Sequence, residues 1–123
     1  MDLKKNNHKP NQWDIWLFNP DPVKGNEIGK KNRPCVVVSC NSLNYGPSGF
    51  VIVVPMTSKE RKIPSHVQVK PDESGLEVVS FAICEQVRSK AKIRLIKQLG
   101  KIQNRRKILD IHEWLTNFFW IET

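Results

Sequence analysis

Two β-branched runs with a turn-rich segment between them place the strongest limit on what this chain can fold into. The runs are PCVVVSC at 34–40 and FVIVVP at 50–55, and each has the length and apolar continuity of a buried strand. The segment between them, NSLNYGPSG at 41–49, is rich in turn residues. If the two strands pair side by side, a residue entering the first lies at the same end of the sheet as a residue leaving the second.

The rest of the chain adds shorter strands and one helix. Strands are indicated by WDIWLFN at 13–19, HVQVK at 66–70, VVSFAICEQVR at 78–88 and QLGKI at 98–102. Near the end, Asn104 can cap a helix that runs to about Phe119, with apolar residues at helical spacing. Several short strands followed by one helix predict a mainly β fold of the α+β class, a small antiparallel barrel or curled sheet with a packed helix.

The length and the chain ends set the expected organisation and location. A chain of 123 residues suffices for one hydrophobic core but not for two. We expect a flexible basic N-terminal segment at 1–12 and a single domain at 13–123. The polar start and the lack of a long apolar run predict a cytoplasmic protein with no membrane contact. Cys35, Cys40 and Cys84 are expected to be reduced and packed as small hydrophobic residues.

The net charge of +8 favours a polyanionic partner such as nucleic acid, an acidic protein segment or anionic lipid. The motifs of nucleophile elbows, P-loops, zinc proteases and dinucleotide sites are missing. His8, His66 and His112 are scattered and are expected to be ordinary surface histidines. The carboxylates are dispersed and do not suit Mg²⁺, so the sequence predicts neither a metal nor another cofactor.

Two basic loops beside the predicted strand pair are the candidates for chemistry. One carries Glu27, Lys30, Lys31 and Arg33, and the other carries Thr57, Ser58, Lys59 and Arg61. RNA supplies its own nucleophile, the 2′-hydroxyl, so the enzyme has to align it, move its proton and stabilise the phosphorane. Arg33 can clamp two phosphate oxygens, and the Thr57 hydroxyl can donate to the same charge. Because arginine stays protonated in proteins, Glu27 is the better candidate for the general base.

Three segments carry recognisable motifs in a fixed order. DIWLFNPDPVKGNEIGKKNRPCVVVS contains a Gly-x-Glu-x-Gly loop and an Arg-Pro step before a valine-rich strand. VIVVPMTSKERKIPSHVQV contains a Thr-Ser step, a basic loop and a Pro-x-His strand. SGLEVVSFAICEQVRSKAKIRLIKQLGKI contains Gly-Leu, Glu-Gln-x-Arg and Arg-Leu…Gly. Over about residues 13–115, the chain resembles the MazF/PemK (Kid-like) toxin endoribonucleases of type II toxin–antitoxin systems.

The resemblance implies roles for individual residues. Arg33 and Thr57 would be the catalytic pair, and Glu27 would be the loop glutamate. Residues near the RNA path would be Ser58, Gln86 and Arg88, joined by the basic side chains of Lys30, Lys31, Lys59 and Arg61. The family's fold would be an SH3-like barrel of the MazF/PemK/CcdB type with a terminal helix. Its members act as homodimers on single-stranded RNA and are neutralised by an antitoxin with an acidic, initially disordered tail.

Two alternatives to the ribonuclease remain open. Some relatives with this fold bind DNA gyrase and do no chemistry, but these would not need Arg33 and Thr57 together. A plain RNA-binding module of SH3-like fold would need aromatic stacking platforms, and only Tyr45 and Phe50 lie near the basic loops. For the ribonuclease we predict products with 2′,3′-cyclic phosphate and 5′-hydroxyl ends.

Overall fold

The computed structural model describes residues 8–20 and 32–123, so the predicted site residues Glu27, Lys30 and Lys31 lie outside the described residues. In chain order the described elements are β1 Asp14–Phe18, β2 Arg33–Val37, α1 Asn41–Asn44, β3 Phe50–Thr57, β4 His66–Val69, α2 Pro71–Ser74, β5 Ser80–Ile83, β6 Arg88–Ala91, β7 Leu95–Lys101 and α3 Arg105–Phe118. Short 3-10 helices at Cys84–Gln86 and Lys92–Arg94 flank β6. None of the described helices is long and apolar enough to cross a membrane.

The two β-branched runs form β2 and β3, which pair in antiparallel fashion. The register runs from Cys35 opposite Pro55 to Val37 opposite Val53, and all four residues are buried. The connection between the strands contains the helical turn α1 and ends at Gly49, whose φ of 80° favours a residue without a side chain. This connection returns the chain beside β2, as the turn residues predict.

β3 is the longest strand and pairs with two partners along the same edge. Its last two residues pair with β5, and its first four pair with β6. The prediction of one strand over 78–88 is wrong, because the 3-10 helix Cys84–Gln86 separates β5 from β6. Continuing the β3–β5 register would put Glu85 opposite Val53, but Arg88 occupies that place. The helical turn therefore inserts three residues, which an alternating sequence pattern does not reveal.

All strand pairs are antiparallel, and the sheet order is β4-β5-β3-β2-β1-β7 with β6 on β3. Within the described part of the chain, no ladder joins β7 back to β4 or β6, so the barrel is not closed. The predicted class, a mainly antiparallel β fold with a C-terminal helix, is confirmed. The sheet nevertheless curls enough to bury side chains on both of its faces.

The two faces of the sheet have separate cores. The core under α3 consists of Ile15, Val36, Val54, Met56, Val67, Val69, Ala82, Cys84, Ile102 and Ile111. The core on the opposite face consists of Trp16, Phe18, Cys35, Val37, Val51, Val53 and Leu95. This division follows from the alternation of side chains along β2 and β3. The second core lies on the same face of β2 and β3 as the predicted catalytic pair.

α3 begins and ends within one residue of the prediction. The Asn104 side chain accepts hydrogen bonds from the backbone N–H groups of Arg106 at 2.8 Å and Lys107 at 3.2 Å, which confirms it as the N-cap. Ile111 is fully buried, and Ile108 packs at the edge of the same core. The apolar stripe therefore faces the sheet, as its spacing predicts.

Part of the segment before β1 contacts the sheet. Pro10 is buried, and the Asn11 N–H donates to Asp14 Oδ2 at 2.8 Å. The Gln12 side chain donates to the Val38 carbonyl at 2.9 Å. The division into a segment at 1–12 and a domain at 13–123 remains a prediction.

Candidate active site

Arg33 and Thr57 lie at one end of the β2–β3 ladder. Arg33 is the first residue of β2, and Thr57 is the last residue of β3. Continuing the register by two positions from Cys35 and Pro55 puts Arg33 opposite Thr57. Opposite positions in an antiparallel pair share one face of the sheet. The structure thus brings the predicted pair to the same end and the same face.

The surroundings of both side chains leave polar groups open to solvent. Thr57 Oγ1 accepts a hydrogen bond from the Lys59 backbone N–H at 3.1 Å, a local turn typical of threonine. The hydroxyl keeps its own proton for another acceptor. Arg33 is exposed, and its guanidinium makes no hydrogen bond or ion pair to any residue in 8–20 or 32–123. Both groups can therefore donate to an oxyanion that arrives from solvent.

Two further basic residues share this face of the sheet. Arg88 lies opposite Val53, and Lys90 lies opposite Val51. Lys90 is buried, with its ammonium 5.4 Å from the centre of the Phe18 ring, a cation–π contact that helps to hold the charge inside. Basic residues therefore continue from the end of β2 across to β6.

Gln86 and Arg88 are linked to each other and exposed. Arg88 Nε donates to the Gln86 carbonyl at 3.2 Å, and a terminal guanidinium nitrogen donates to Gln86 Oε1 at 3.3 Å. These bonds hold the guanidinium close to the 3-10 helix. The turn that separates β5 from β6 therefore decides where both side chains are presented.

The predicted contacts Ser58, Lys59 and Arg61 lie in the loop that leaves β3 after Thr57, and all three are exposed. The neighbouring Lys62 has a φ of 54°, which turns the chain. Its ion pair with Glu60 spans 3.9 Å between exposed groups and contributes little. The loop therefore extends the positive surface outward from the end of the sheet at which Arg33 lies.

A hydrogen-bonded cluster of Ser65, His66 and Glu85 was not predicted from the sequence. Ser65 Oγ donates to Glu85 Oε1 at 2.5 Å, and His66 Nε2 lies 2.9 Å from Glu85 Oε2. The prediction of an ordinary surface histidine is wrong for His66, whose side chain is only 3% exposed. His66 belongs to the Pro-x-His motif and Glu85 to the Glu-Gln-x-Arg motif, both of which the family resemblance had singled out. Their presence in these motifs was the one sequence signal that could have pointed to the cluster.

The cluster changes the acidity of Glu85. Partial burial acts to raise the pKa of this carboxyl, but the hydrogen bonds from Ser65 and His66 favour the ionised form. The net result is a pKa below its ordinary value. Glu85 is therefore a carboxylate that accepts two hydrogen bonds.

The three cysteines differ in burial and in the pKa of the thiol, which the sequence does not predict. Burial raises the pKa of both Cys35 and Cys84 to about 12, consistent with packed, unreactive thiols. Cys40 is exposed, so its prediction as a packed residue is wrong. A backbone hydrogen bond from Leu43 lowers the pKa of the Cys40 thiol. Across 8–20 and 32–123, His, Cys, Asp and Glu form no group of three that could hold a metal ion.

Two curated relatives are similar over most of the chain. Endoribonuclease MazF9 of Mycobacterium tuberculosis is 36% identical over 94 residues, which is 72% of this chain and 79% of that protein. Endoribonuclease MazF of Staphylococcus epidermidis is 32% identical over 111 residues, which is 85% of this chain and 92% of that protein. Identity at this level over most of both chains indicates common ancestry.

The fold is also similar to that of a solved endoribonuclease structure. An endoribonuclease from a mycobacterial species, solved in complex with its cognate antitoxin, superposes with a TM-score of 0.68. That match is 19% identical and covers 91% of this chain and 99% of the other. The family model of PemK-like, MazF-like toxins of type II toxin–antitoxin systems matches residues 11–119, which include every described residue of the candidate site. The chain therefore belongs to the PemK-like, MazF-like toxin family.

Proposed function

We propose that this protein is a metal-independent endoribonuclease toxin that cuts single-stranded RNA at a phosphate held by Arg33 and Thr57. The observation that carries the proposal is that Arg33 begins β2 and Thr57 ends β3, at positions that face each other when the β2–β3 register is continued by two residues. Family membership and the two endoribonuclease relatives support RNA as the substrate. The exposed basic loop after β3 adds the phosphate-binding charge that a nucleic-acid strand requires.

The reaction is an in-line transesterification within the RNA. The 2′-oxygen forms a bond to phosphorus while the bond from phosphorus to the 5′-oxygen breaks. The 2′-hydroxyl gives up a proton to a base, and the leaving 5′-oxygen takes one up from water. Arg33 binds two non-bridging oxygens through its planar fork, and the Thr57 hydroxyl donates to the same developing charge. The products carry a 2′,3′-cyclic phosphate and a 5′-hydroxyl.

The general base is assigned on chemical grounds. Arg33 stays protonated and serves as a clamp. A carboxylate in the loop that precedes it can accept the proton, and Glu27 is that group in the sequence. Glu27 lies outside the described residues, as do the proposed phosphate contacts Lys30 and Lys31. The role of Glu27 therefore rests on the resemblance and on this chemistry.

The proposal includes partners and location. A type II toxin is paired with an antitoxin, and one of the similar endoribonuclease structures contains its cognate antitoxin. An acidic tail would complement the net charge of +8 and compete with RNA for the same surface. We assign the protein to the cytoplasm, where mRNA is found, and to a homodimer, the assembly that the family resemblance implies.

Cleavage of a mixed-sequence single-stranded RNA in EDTA tests the proposal. The wild type should cut at few sites and leave 2′,3′-cyclic phosphate ends. Arg33→Ala and Thr57→Ala should each lower kcat by about 100- to 1000-fold while keeping the wild-type melting temperature, the scale for losing one donor to a developing oxyanion. Arg106→Ala, an exposed arginine on α3, is the matched control and should cut normally.

Two results would overturn the assignment. Normal cutting by both variants would remove Arg33 and Thr57 from the site. Intact RNA from well-folded wild type, across varied sequences, would favour a non-catalytic relative that binds gyrase or RNA. Inhibition of gyrase supercoiling would then separate these two classes.

A further inference from the structure

We propose that Ser65, His66 and Glu85 are positioning residues, which fix the 3-10 helix Cys84–Gln86 and thereby set the affinity of Gln86 and Arg88 for RNA. The inference rests on the proposed function, because it assigns a purpose in RNA binding to a cluster outside the proposed catalytic pair. The inference is carried by two contacts to one carboxylate. Ser65, just before β4, and the buried side chain of His66, the first residue of β4, each contact one oxygen of Glu85 in that turn.

The cluster links the turn to β4 through both oxygens of the Glu85 carboxylate. Ser65 Oγ lies 2.5 Å from Glu85 Oε1, and His66 Nε2 lies 2.9 Å from Glu85 Oε2. The backbone adds a third link, since the Cys84 N–H donates to the Ser65 carbonyl at 3.2 Å. The insertion that breaks the β3 ladder between β5 and β6 is therefore anchored to β4 instead.

The histidine is a fixed donor. A carboxylate only accepts hydrogen bonds, so His66 Nε2 carries the proton that points to Glu85. The ring is buried, and its Nδ1 has no hydrogen-bond partner among the described residues. It lines a cleft of about 260 Å³ between β4 and α3, together with Lys107, Asp110 and Trp114. Burial of the ring limits its rotation, so the donor stays aimed at Glu85.

The anchored turn carries the groups proposed to contact RNA. Glu85 is followed by Gln86, whose carbonyl and side-chain oxygens both accept from Arg88. Arg88 lies opposite Val53, four residues along β3 from Thr57, or about 13 Å at the usual rise of a strand. A turn free to move would have to be ordered whenever RNA binds, and that ordering weakens binding. The cluster should therefore affect RNA affinity and not the chemical step.

The test measures the Kd of a 2′-O-methyl oligonucleotide, which binds but has no nucleophile to react. His66→Phe keeps a ring of similar size and removes the donor, while His66→Gln can keep an N–H near the Nε2 position. The Kd of these two variants is compared with that of the wild type, Arg88→Ala, the double variant His66→Phe/Arg88→Ala and Glu85→Ala. Glu85 is 38% exposed, so its truncation tests the same link if His66→Phe fails to fold. Thermal melting checks the fold of each chain.

We expect His66→Phe and Glu85→Ala to weaken binding about tenfold, the scale of one hydrogen bond to a charged group. His66→Gln should stay near wild type. The double variant should lose less affinity than the two single losses together predict, because the histidine acts in part through that arginine. In cleavage assays His66→Phe should raise KM and leave kcat unchanged, a split that general destabilisation of the fold would not produce.

Additive losses in the double variant, or wild-type affinity in both His66→Phe and Glu85→Ala, would overturn the inference. A wild type that does not bind the oligonucleotide would overturn it too. A wild type that binds but never cuts natural RNA would refute the proposed chemistry alone, and the Kd comparison would still decide the positioning role.

Discussion

Cys35 lies opposite Pro55 in the antiparallel ladder between β2 and β3, and each is two residues from a proposed catalytic side chain. The pair is buried, so core packing and not the solvent-exposed loops fixes the register at this point. A slip of one residue would turn Arg33 and Thr57 to opposite faces. The site therefore depends on a register that is set by apolar residues without chemistry of their own.

Arg33→Lys tests whether the planar fork matters beyond its charge. Lysine keeps the positive charge but offers a point donor in place of two parallel N–H groups. We expect kcat for RNA cleavage to fall at least about tenfold, short of the loss in Arg33→Ala. Arg106→Lys, the same change on the exposed face of α3, should leave kcat unaltered. Wild-type kcat in Arg33→Lys would show that charge alone suffices.

Lys59 and Arg61 are proposed phosphate contacts, and the salt dependence of RNA binding shows how many such contacts form. Each contact with a single strand contributes about 0.7 to the slope of log Kd against log salt. Lys59→Ala and Arg61→Ala should each reduce the slope by about that amount, measured by titration of an RNA oligonucleotide at several salt concentrations. Arg106→Ala should keep the wild-type slope. An unchanged slope in either loop variant would remove that residue from the RNA path.

Glu85 makes stability depend on acid pH. Its pKa in the folded state is below the ordinary value of 4.5, so the ionised carboxylate stabilises the folded state relative to the unfolded one. That stabilisation is fully present above the unfolded pKa and is lost as the pH falls through the folded one. The urea midpoint of wild type should exceed that of Glu85→Gln at pH 7, and the difference should shrink below about pH 4.

Glu77→Gln is the control for this measurement, because Glu77 is exposed and has no hydrogen bond or ion pair to the described residues. Its urea midpoint should match that of wild type at both pH values. A constant gap between wild type and Glu85→Gln across the acid range would contradict the assigned pKa shift.

Gly100 is required where β7 crosses α2. A Cβ added there would lie 2.2 Å from the Ser74 carbonyl oxygen, a backbone atom that cannot move aside alone. Gly100→Ala should therefore lower the free energy of unfolding by about 1–3 kcal/mol, the usual range for overpacking. Urea denaturation gives this value directly, and an unchanged midpoint would show that the two segments separate easily.

Local features of this fold could be predicted from the sequence because they depend on neighbouring residues. Continuous β-branched runs indicate β2 and β3, and Asn104 marks the start of α3 through its own hydrogen bonds. The expected meeting of Arg33 and Thr57 at one end followed from strand direction alone. The roles of Ser58, Gln86 and Arg88 came from the family resemblance, which periodicity does not supply. The role of Glu27 came from the chemistry of a general base as well as from the resemblance.

The sequence by itself determined the strand pair, the capped helix and the basic loops, because side-chain periodicity and capping act over a few residues. Only the tertiary structure decided that a three-residue insertion splits the strand over 78–88, that His66 is buried against Glu85, and that Cys40 is exposed. These outcomes depend on segments distant in sequence. His66 and Glu85 are 19 residues apart and meet only because β4 and β5 pair. The alternation of each strand shows which residues share a face, but the register between strands decides which of them touch.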